Sequence, residues 1–305
     1  MNQDLICILG PTASGKTRYA VNMALELGGE IISADSRQVY RGMDIGTGKD
    51  LSDYIVNGVE VPYHLIDIAN PGTKYNIFEY QKDFQKAYRD IVSRGREPIL
   101  CGGSGLYIDS VTMGYSLAEV PPNTELRERL ERLPIEELAE MLKGYKNLHN
   151  TTDTDSKKRV IRALEIAIFN SENPSQRQEF SPLKTRYIGI DVSREERIRR
   201  IDNRLDERLR QGMVEEVKAL IDSGINPDDL IYYGLEYKFV TLYILGRLSF
   251  EEMRNQLATA IHQFAKRQMT WFRGMTRRGL PIHWIDGHQP VTYQRDRVLR
   301  LLKGS

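Results

Sequence analysis

GPTASGKT, at Gly10 to Thr17, is the stretch that decides the fold of this chain. It follows the apolar run Leu5 to Leu9 and precedes a helical pattern from Lys16 to Leu27, so it fits a G-x-x-x-x-G-K-[ST] phosphate loop between a strand and a helix. Its glycines let successive amides face inward, and the helix start adds partial positive charge. A diphosphate or triphosphate is therefore predicted to bind the whole loop, with Lys16 on the terminal phosphates and the Thr17 hydroxyl on Mg²⁺: Gly10, Pro11, Thr12, Ala13, Ser14, Gly15, Lys16 and Thr17.

The rest of the chain predicts a parallel sheet around this loop. Short strand-like runs bounded by Gly or Asp alternate with helical patterns, which is typical of a buried parallel sheet with helices on its faces. The runs are Glu30 to Ser33, Tyr63 to Asp67, Glu97 to Cys101, Thr185 to Asp191 and the edge candidate Ile282 to Ile285. Ser193 with Glu196 and Ser249 with Glu252 predict capping boxes at two later helices.

Between the fourth and fifth predicted strands, counted from the N-terminus, the pattern is helical only. The predicted fold is therefore α/β: a P-loop NTPase-like core with a parallel sheet flanked by helices, plus an inserted all-helical domain. The expected boundaries are residues 1–116 and 185–305 for the core with its C-terminal basic helices, and 117–184 for the insertion.

Composition excludes several classes of protein. The 305 residues include only two cysteines, each in an apolar run, which indicates a reducing, cytoplasmic setting and rules out a four-ligand zinc site. No stretch is apolar for long enough to span a membrane, and the N-terminus has no basic leader region. We therefore expect a cytoplasmic protein, a monomer, with no membrane partner.

The charge of the chain is balanced overall but not locally. With 43 basic and 42 acidic residues the net charge of +1 speaks against a polyanion partner. However, Met253 to Ile285 contains no acidic residue, so its cations are expected to be unopposed. They alternate with aromatic residues, as in a nucleic-acid groove. The alternative is an amphipathic helix with solvated cations, and Trp271 and Phe272 are expected in the core. The cations are Arg254, Lys266, Arg267, Arg273, Arg277 and Arg278.

Two strand ends carry further candidate residues. Asp35 follows the second predicted strand, at the sheet edge where ligands lie in α/β proteins. It could act as a general base or cap a turn, and its position leaves both open. Ser104 lies in the glycine-rich segment after the strand that ends at Cys101, and that segment alone is typical of a tight turn.

Taken together, these segments resemble the bacterial tRNA dimethylallyltransferase family, also called tRNA isopentenylpyrophosphate transferases. The matching motifs run in the same order along nearly the whole chain, and the second and last are long and specific. They are GPTASGKT, DSRQVYRGMDIGTGK (35–49), HLIDI (64–68), GGSGLYI (102–108), RALE (162–165) and AKRQMTWFR (265–273).

The resemblance implies transfer of a dimethylallyl group from dimethylallyl diphosphate to the N6 amine of the adenosine 3′-adjacent to the anticodon, with release of pyrophosphate. The expected cofactor is Mg²⁺, and the expected partner is the tRNA anticodon stem-loop. The resemblance implies that Asp35 is the general base and that Arg204 binds the diphosphate. The implied catalytic set also includes Lys16, Thr17 and Ser104.

The implied tRNA contacts extend from the second strand to the basic helix. Gln38 could read the edge of a base next to the target. Two departures from the family pattern stand out: Ser104 replaces a common Thr, and GLEYK (234–238) stands where many members have GYKE or GYRE. The residues for which the resemblance implies contact with tRNA are Asp35, Ser36, Arg37, Gln38, Ser104, Arg127, Lys158, Arg159, Val160, Ile161, Arg162, Lys266, Arg267 and Arg273.

Three alternatives stay open at the level of sequence. An isopentenyltransferase acting on free AMP or ADP would share the loop and Asp35, but it would not need the basic interval or the helical insertion. A P-loop kinase of a small metabolite would need a nucleotide-base pocket. A non-catalytic RNA-binding module would leave the phosphate loop without a purpose.

Overall fold

The computed structural model describes residues 4–145, 156–173 and 180–289. The chain forms two compact units, Met1–Met113 with Pro182–Ser305 and the helical segment Gly114–Ser181. The predicted insertion, 117–184, overlaps the second unit. The part of the predicted core from residue 290 to 305 lies outside the described residues.

The first unit is built on a sheet that is parallel throughout its six strands. Each of the six corresponds to a run that the sequence predicts as a strand, and a short antiparallel hairpin formed by β3 and β4 stands apart. The bounds are β1 Leu5–Leu9, β2 Gly29–Ala34, β3 Ile55–Val56, β4 Val59–Glu60, β5 Tyr63–His64, β6 Glu97–Gly102, β7 Thr185–Asp191 and β8 Ile282–Asp286. The strand order in the main sheet is β5-β2-β6-β1-β7-β8.

Helices connect these strands and form the second unit. A 3-10 turn at Leu51–Tyr54 precedes β3. Three helices, α4 to α6, belong to the second unit and pack around a leucine-rich core of their own. The bounds are α1 Lys16–Leu27, α2 Ile77–Ser93, α3 Gly105–Thr112, α4 Thr124–Glu131, α5 Ile135–Tyr145, α6 Lys157–Glu172, α7 Arg194–Arg210, α8 Met213–Asp222, α9 Pro227–Tyr233, α10 Leu235–Ile244 and α11 Phe250–Arg277.

The predicted fold class is confirmed, and the predicted edge strand is β8. The strand expected from Tyr63 to Asp67 is wrong in length, because β5 ends at His64. Leu65 and Asp67 have φ of +64° and +55°, and a left-handed residue cannot continue a strand. The chain turns away there, toward the sheet edge that carries the phosphate loop.

The two predicted capping boxes have different outcomes. At α11 the box is complete: Ser249 Oγ accepts from the Glu252 amide at 3.2 Å, and the Glu252 carboxylate accepts from the Ser249 amide at 2.8 Å. At α7 only half forms, because Ser193 accepts from the Glu196 amide while the Glu196 carboxylate binds arginines of its own helix, including Arg200 at 2.6 Å. A charged donor is the stronger partner for that carboxylate.

The topology places the functional segments at one edge of the sheet. In parallel strands all carboxyl ends meet at the same edge, so the loops after β1, β2 and β6 lie side by side. The strands themselves are almost entirely buried. Among the helices in the described ranges, none is long and apolar enough to cross a membrane.

Candidate active site

The phosphate loop joins β1 to α1. Gly15 and Ala13 have φ of +88° and +62°, left-handed conformations that turn successive amides toward one side. A Cβ at Gly10 would press on the Ile190 carbonyl oxygen, so only glycine fits beside β7. The Ser14 hydroxyl is buried and has no hydrogen-bond partner in the described part of the chain. An unpartnered buried hydroxyl fits a loop built to receive a ligand oxygen.

Two cations lie at this loop. Arg204 on α7 donates to the Thr12 hydroxyl, and Lys16 Nζ lies 3.4 Å from the Pro11 carbonyl oxygen. Burial lowers the pKa of Lys16, and burial together with the positive charge of Arg208 lowers the pKa of Arg204 to about 10. Neither Lys16 nor Arg204 forms an ion pair with a carboxylate of the described residues. Partly buried positive charge without a counterion favours a bound anion.

Asp35 lies directly after β2 and serves a turn with one oxygen only. Its Oδ1 accepts from the Arg37 amide at 2.9 Å, and its own amide donates to Ser33 Oγ at 3.3 Å. No donor in the described ranges reaches Oδ2. The negative charge of Asp35 also acts on Lys16 and Arg204, raising the pKa of each against the effect of burial. Asp35 can therefore cap the turn and still act as a general base. It also lies close enough to Lys16 and Arg204 for its charge to act on both.

Ser104 connects the ends of β2 and β6. Its Oγ accepts from the Ser36 amide at 3.1 Å and lies 3.3 Å from the Ser36 hydroxyl oxygen. Its own amide donates to the Ala34 carbonyl at 3.1 Å. The two strand ends are therefore joined by this serine, in the position that precedes α3. A direct part for the Ser104 hydroxyl in catalysis stays a prediction.

Sequence reasoning missed Gln268, a buried amide on α11. Its Oε1 accepts from the Thr12 amide at 2.8 Å, and its Nε2 donates to the Gly103 carbonyl at 3.0 Å. A Cβ at Gly103 would lie against this side-chain amide. The signal was present in the sequence, since Gln268 falls on the same helix face as the buried Ala265 and Phe272. A polar residue on an apolar stripe indicates a buried hydrogen bond.

Lys49 was missed as well, and it organises the segment that follows β2. Its side chain is fully buried, with Nζ donating to the Tyr40 carbonyl at 2.6 Å, to Asp44 Oδ1 at 2.6 Å and to the Asp67 carboxylate. An ammonium has three donors, so these acceptors saturate it. Lys49 therefore holds protein to protein, and the left-handed turn that ends β5 supplies one of its acceptors.

The predicted contacts after Asp35 have defined surroundings. The Arg37 side chain lies against Gly234, where α10 begins. Gln38 donates from Nε2 to the Gly48 carbonyl at 2.9 Å, and its Oε1 lies 3.4 Å from Ser33 Oγ. Both side chains are only partly buried.

The GLEYK segment, which departs from the family pattern, also borders the site. Glu236 lines a small cavity together with Arg204 and Arg208. Burial raises the pKa of Glu236, and the two arginines act against that rise. A carboxylate in this position tempers the positive charge around Arg204 without forming a salt bridge to it.

The basic interval forms most of α11, and its cations fall into two groups. Arg254 and Arg278 are paired with acids from other helices, so the expectation that all cations in the interval are unopposed is wrong. Distant acids fold back onto the helix, which a linear count of charges cannot show. The exposed cations that have no acidic partner in the described residues are Lys266, Arg267, Arg273 and Arg277.

The aromatic residues of α11 follow the prediction in part. Phe272 is fully buried, as expected for the core. Trp271 is only partly buried, and its Nε1 donates to Asp109 Oδ2 at 3.1 Å. Phe264 is exposed, and the Arg267 guanidinium lies 5.9 Å from its ring centroid. The exposed side of α11 thus presents an aromatic ring next to a cation.

The helical unit holds the remaining predicted contacts. Val160 and Ile161 have their side chains buried in its core, and their predicted RNA contact stays a prediction. Arg127 binds the buried Glu165 through Nε at 2.9 Å and Nη2 at 2.7 Å, and Arg162 binds the same carboxylate. Both guanidiniums remain partly exposed, so RNA contact stays a prediction for them. It also stays a prediction for two exposed residues, Lys158 and Arg159.

The fold and this site define a class of protein: an α/β phosphate-loop protein with a carboxylate beside an anion site and an exposed basic helix. A family model described as IPP transferase matches residues 38–275, and one described as isopentenyl transferase matches residues 3–63.

Similar proteins agree with these matches. The chain is 58% identical to tRNA dimethylallyltransferase 2 of Bacteroides fragilis, over 98% of each chain. It is 59% identical to tRNA dimethylallyltransferase 1 of Porphyromonas gingivalis, over 97% of this chain and 98% of the other. The solved tRNA isopentenylpyrophosphate transferase of Bacillus halodurans is 32% identical with a TM-score of 0.73, covering 99% of this chain and 96% of its own. This chain belongs to the tRNA dimethylallyltransferase, or IPP transferase, family, and the resemblance drawn from the sequence motifs is confirmed.

Proposed function

We propose that this chain transfers a dimethylallyl group from dimethylallyl diphosphate to the N6 amine of the adenosine 3′-adjacent to the anticodon of tRNAs, and releases pyrophosphate. The observation that carries the proposal is the combination of Asp35, with one oxygen available, and a phosphate loop with two cations that form no ion pair in the described residues. Membership of the family supplies the reaction class.

The chemistry needs a proton acceptor and a stabilised leaving group. The lone pair of the adenine amine is delocalised into the ring, so the amine attacks well only as it loses a proton. In the transfer the N6–carbon bond forms, the carbon–oxygen bond to diphosphate breaks, and Oδ2 of Asp35 takes the proton. The loop amides, Lys16 and Arg204 bind the diphosphate oxygens and stabilise the charge that develops there.

The residues of the loop fit a Mg²⁺ ion held mainly by its substrate. In the described ranges no group of three His, Cys, Asp or Glu could hold a metal. Mg²⁺ is commonly bound through phosphate oxygens and waters with one or two protein ligands, for which the unpartnered Ser14 hydroxyl and the Thr17 hydroxyl are available. A bound Mg²⁺ would neutralise charge on the leaving diphosphate.

We place the RNA on the exposed face of α11 and on the segment after Asp35. Lys266, Arg267 and Arg273 have no acidic partner in the described residues and can neutralise phosphates. The target base has to leave its stack to bring its amine to Asp35, so a flipped nucleotide is expected. The proposal includes a cytoplasmic setting, in keeping with two buried free cysteines. It also includes a monomeric state.

One assay separates this function from the alternatives. Purified protein with Mg²⁺ and labelled dimethylallyl diphosphate is given unmodified tRNA or AMP, and a parallel reaction contains labelled ATP and a set of small metabolites. We expect label on tRNA alone. Label on AMP but not on tRNA would identify the cytokinin-type reaction, phosphate transfer to a metabolite would identify a kinase, and tRNA binding without any transfer would leave only a binding module.

A further inference from the structure

The Glu216 carboxylate on α8 holds three consecutive amides of the segment after β2. Its Oε2 accepts from the amides of Asp44 at 2.8 Å and Ile45 at 2.7 Å, and its Oε1 accepts from the Gly46 amide at 3.0 Å. The Tyr237 hydroxyl is the fourth donor to this carboxylate, and it donates to Oε1 at 2.6 Å. A carboxylate has about four lone-pair sites, so these donors saturate it.

These amides are the free start of a single helical turn. The turn closes where the Gly48 amide donates to the Asp44 carbonyl at 2.9 Å and the Lys49 amide donates to the same oxygen at 3.1 Å. One turn leaves its first amides without partners in the backbone, and a side-chain acceptor must satisfy them. Glu216 acts as this cap from a helix about 170 residues away. No Lys, Arg or His in the described ranges forms an ion pair with it, so amides and one hydroxyl alone balance its charge.

The far end of the same turn holds Gln38. The Gly48 carbonyl accepts from Gln38 Nε2 at 2.9 Å, and Gln38 Oε1 lies 3.4 Å from the Ser33 hydroxyl. A side-chain amide has two N–H donors and two lone pairs on oxygen. Each end of the Gln38 amide therefore keeps one site for a ligand, and the orientation of the amide is fixed by the protein. A donor and an acceptor side by side match the edge of a nucleobase.

We infer that Glu216 is a positioning residue for base recognition: it fixes the turn of residues 44–48, whose Gly48 carbonyl orients the Gln38 amide toward a base next to the target adenosine. The inference rests on the proposed function and deepens it. Glu216 lies in none of the motifs that carry the family resemblance. Its effect is confined to RNA selection, since it contacts neither the phosphate loop nor Asp35.

The test compares E216Q with Q38A and the double variant. A glutamine at 216 keeps the shape but turns an N–H₂ group toward backbone donors, so at least one end of the turn is released. Anticodon stem-loop RNAs with single-base changes on either side of the target adenosine are prenylated, and selectivity is the ratio of the highest to the lowest kcat/KM. We expect E216Q and Q38A each to lower this selectivity by roughly tenfold or more, the discrimination that one bidentate base contact provides. The double variant should be no less selective than Q38A, because the two changes remove one interaction.

Controls make the outcome specific to the cap. Y237F removes one donor and leaves all three amides on Glu216, so its selectivity should stay within about twofold of wild type, as should the KM for dimethylallyl diphosphate in every variant. If E216Q does not yield folded protein by circular dichroism, E216D replaces it, since the shorter carboxylate cannot span three amides.

When the wild-type protein does prenylate RNA, three results would overturn the inference. They are wild-type selectivity in E216Q or its replacement, effects that multiply in the double variant, and a Y237F variant as impaired as E216Q. Wild-type protein that prenylates no RNA refutes the proposed function and this inference together, whereas wild-type transfer with unchanged selectivity in the Glu216 variant refutes the inference alone.

Discussion

Replacing Asp35 by asparagine separates the two roles of this side chain. In D35N the side-chain amide oxygen can still accept from the Arg37 amide, so the turn that Oδ1 forms at 2.9 Å survives. Only the proton acceptor at Oδ2 is removed. We expect kcat for tRNA to fall by about 10²- to 10⁴-fold, the usual contribution of a general base, which corresponds to about 3–5 kcal/mol in the barrier.

The neighbouring cations predict the sign of a second effect. The negative charge of Asp35 partly compensates Lys16 and Arg204, so its removal leaves more net positive charge at the phosphate loop. The KM for dimethylallyl diphosphate should therefore stay constant or fall in D35N, and the Kd for tRNA should stay within a few-fold of wild type. A weaker diphosphate affinity would point to a structural defect instead.

Single-turnover transfer to unmodified tRNA measures the step directly, and filter binding measures the tRNA Kd. D35A is the matched comparison, because it removes the turn acceptor as well and should lower the melting temperature, whereas D35N should not. D35N turnover within tenfold of wild type would refute the assignment of Asp35 as the base.

Three further predictions concern charge. K266A/R267A should weaken tRNA binding and flatten the log–log salt dependence by about 0.7 for each phosphate that is no longer neutralised, and an unaltered slope in salt-titrated binding would leave these side chains merely solvated. R204K should raise the KM for dimethylallyl diphosphate at least several-fold, because a lysine cannot make the bidentate contact of a guanidinium to phosphate oxygens. The tRNA Kd of this variant should be unchanged. Arg94 lowers the pKa of Glu30 to about 2, below its unfolded value of roughly 4.3, so this carboxylate stabilises the fold above pH 4.3 and loses that effect as the pH falls toward 2. E30Q should show a shallower fall in melting temperature over that pH window than wild type, and an identical fall would exclude Glu30 as a source of acid lability.

The sequence was most informative where function depends on local backbone. The phosphate loop needs glycines at fixed offsets between a strand and a helix, and such a pattern is visible without knowledge of any distant residue. The residue at a strand end, such as Asp35, could be placed at the sheet edge for the same reason. Parallel strands share one edge, so local assignments were enough to bring the loops together.

The sequence was least informative where distant residues complete the site. Gln268 meets Thr12 across 256 positions, and Glu216 meets Gly46 across 170. Nothing in a single sequence states which acceptor will find which donor over such separations. The pairing of Arg254 with Asp206 was hidden for the same reason, since the acid lies on another helix. β5 ends early because Leu65 and Asp67 adopt left-handed conformations. Strand propensity does not reveal such conformations in residues other than glycine.

The position of Gln268 has a consequence for the order of events on the enzyme. It lies beside Lys266 and Arg267, so the helix that offers cations to RNA is the same rigid element that grips an amide of the phosphate loop. If RNA binds α11 as proposed, a displacement of this helix would move the Gln268 amide that holds the phosphate loop. By thermodynamic reciprocity, the factor by which bound RNA changes the affinity for dimethylallyl diphosphate equals the factor by which bound diphosphate changes the affinity for RNA. If RNA binds α11 as proposed, we expect the two substrates to be coupled through the Gln268 amide, whose two hydrogen bonds join the helix to Thr12 and Gly103.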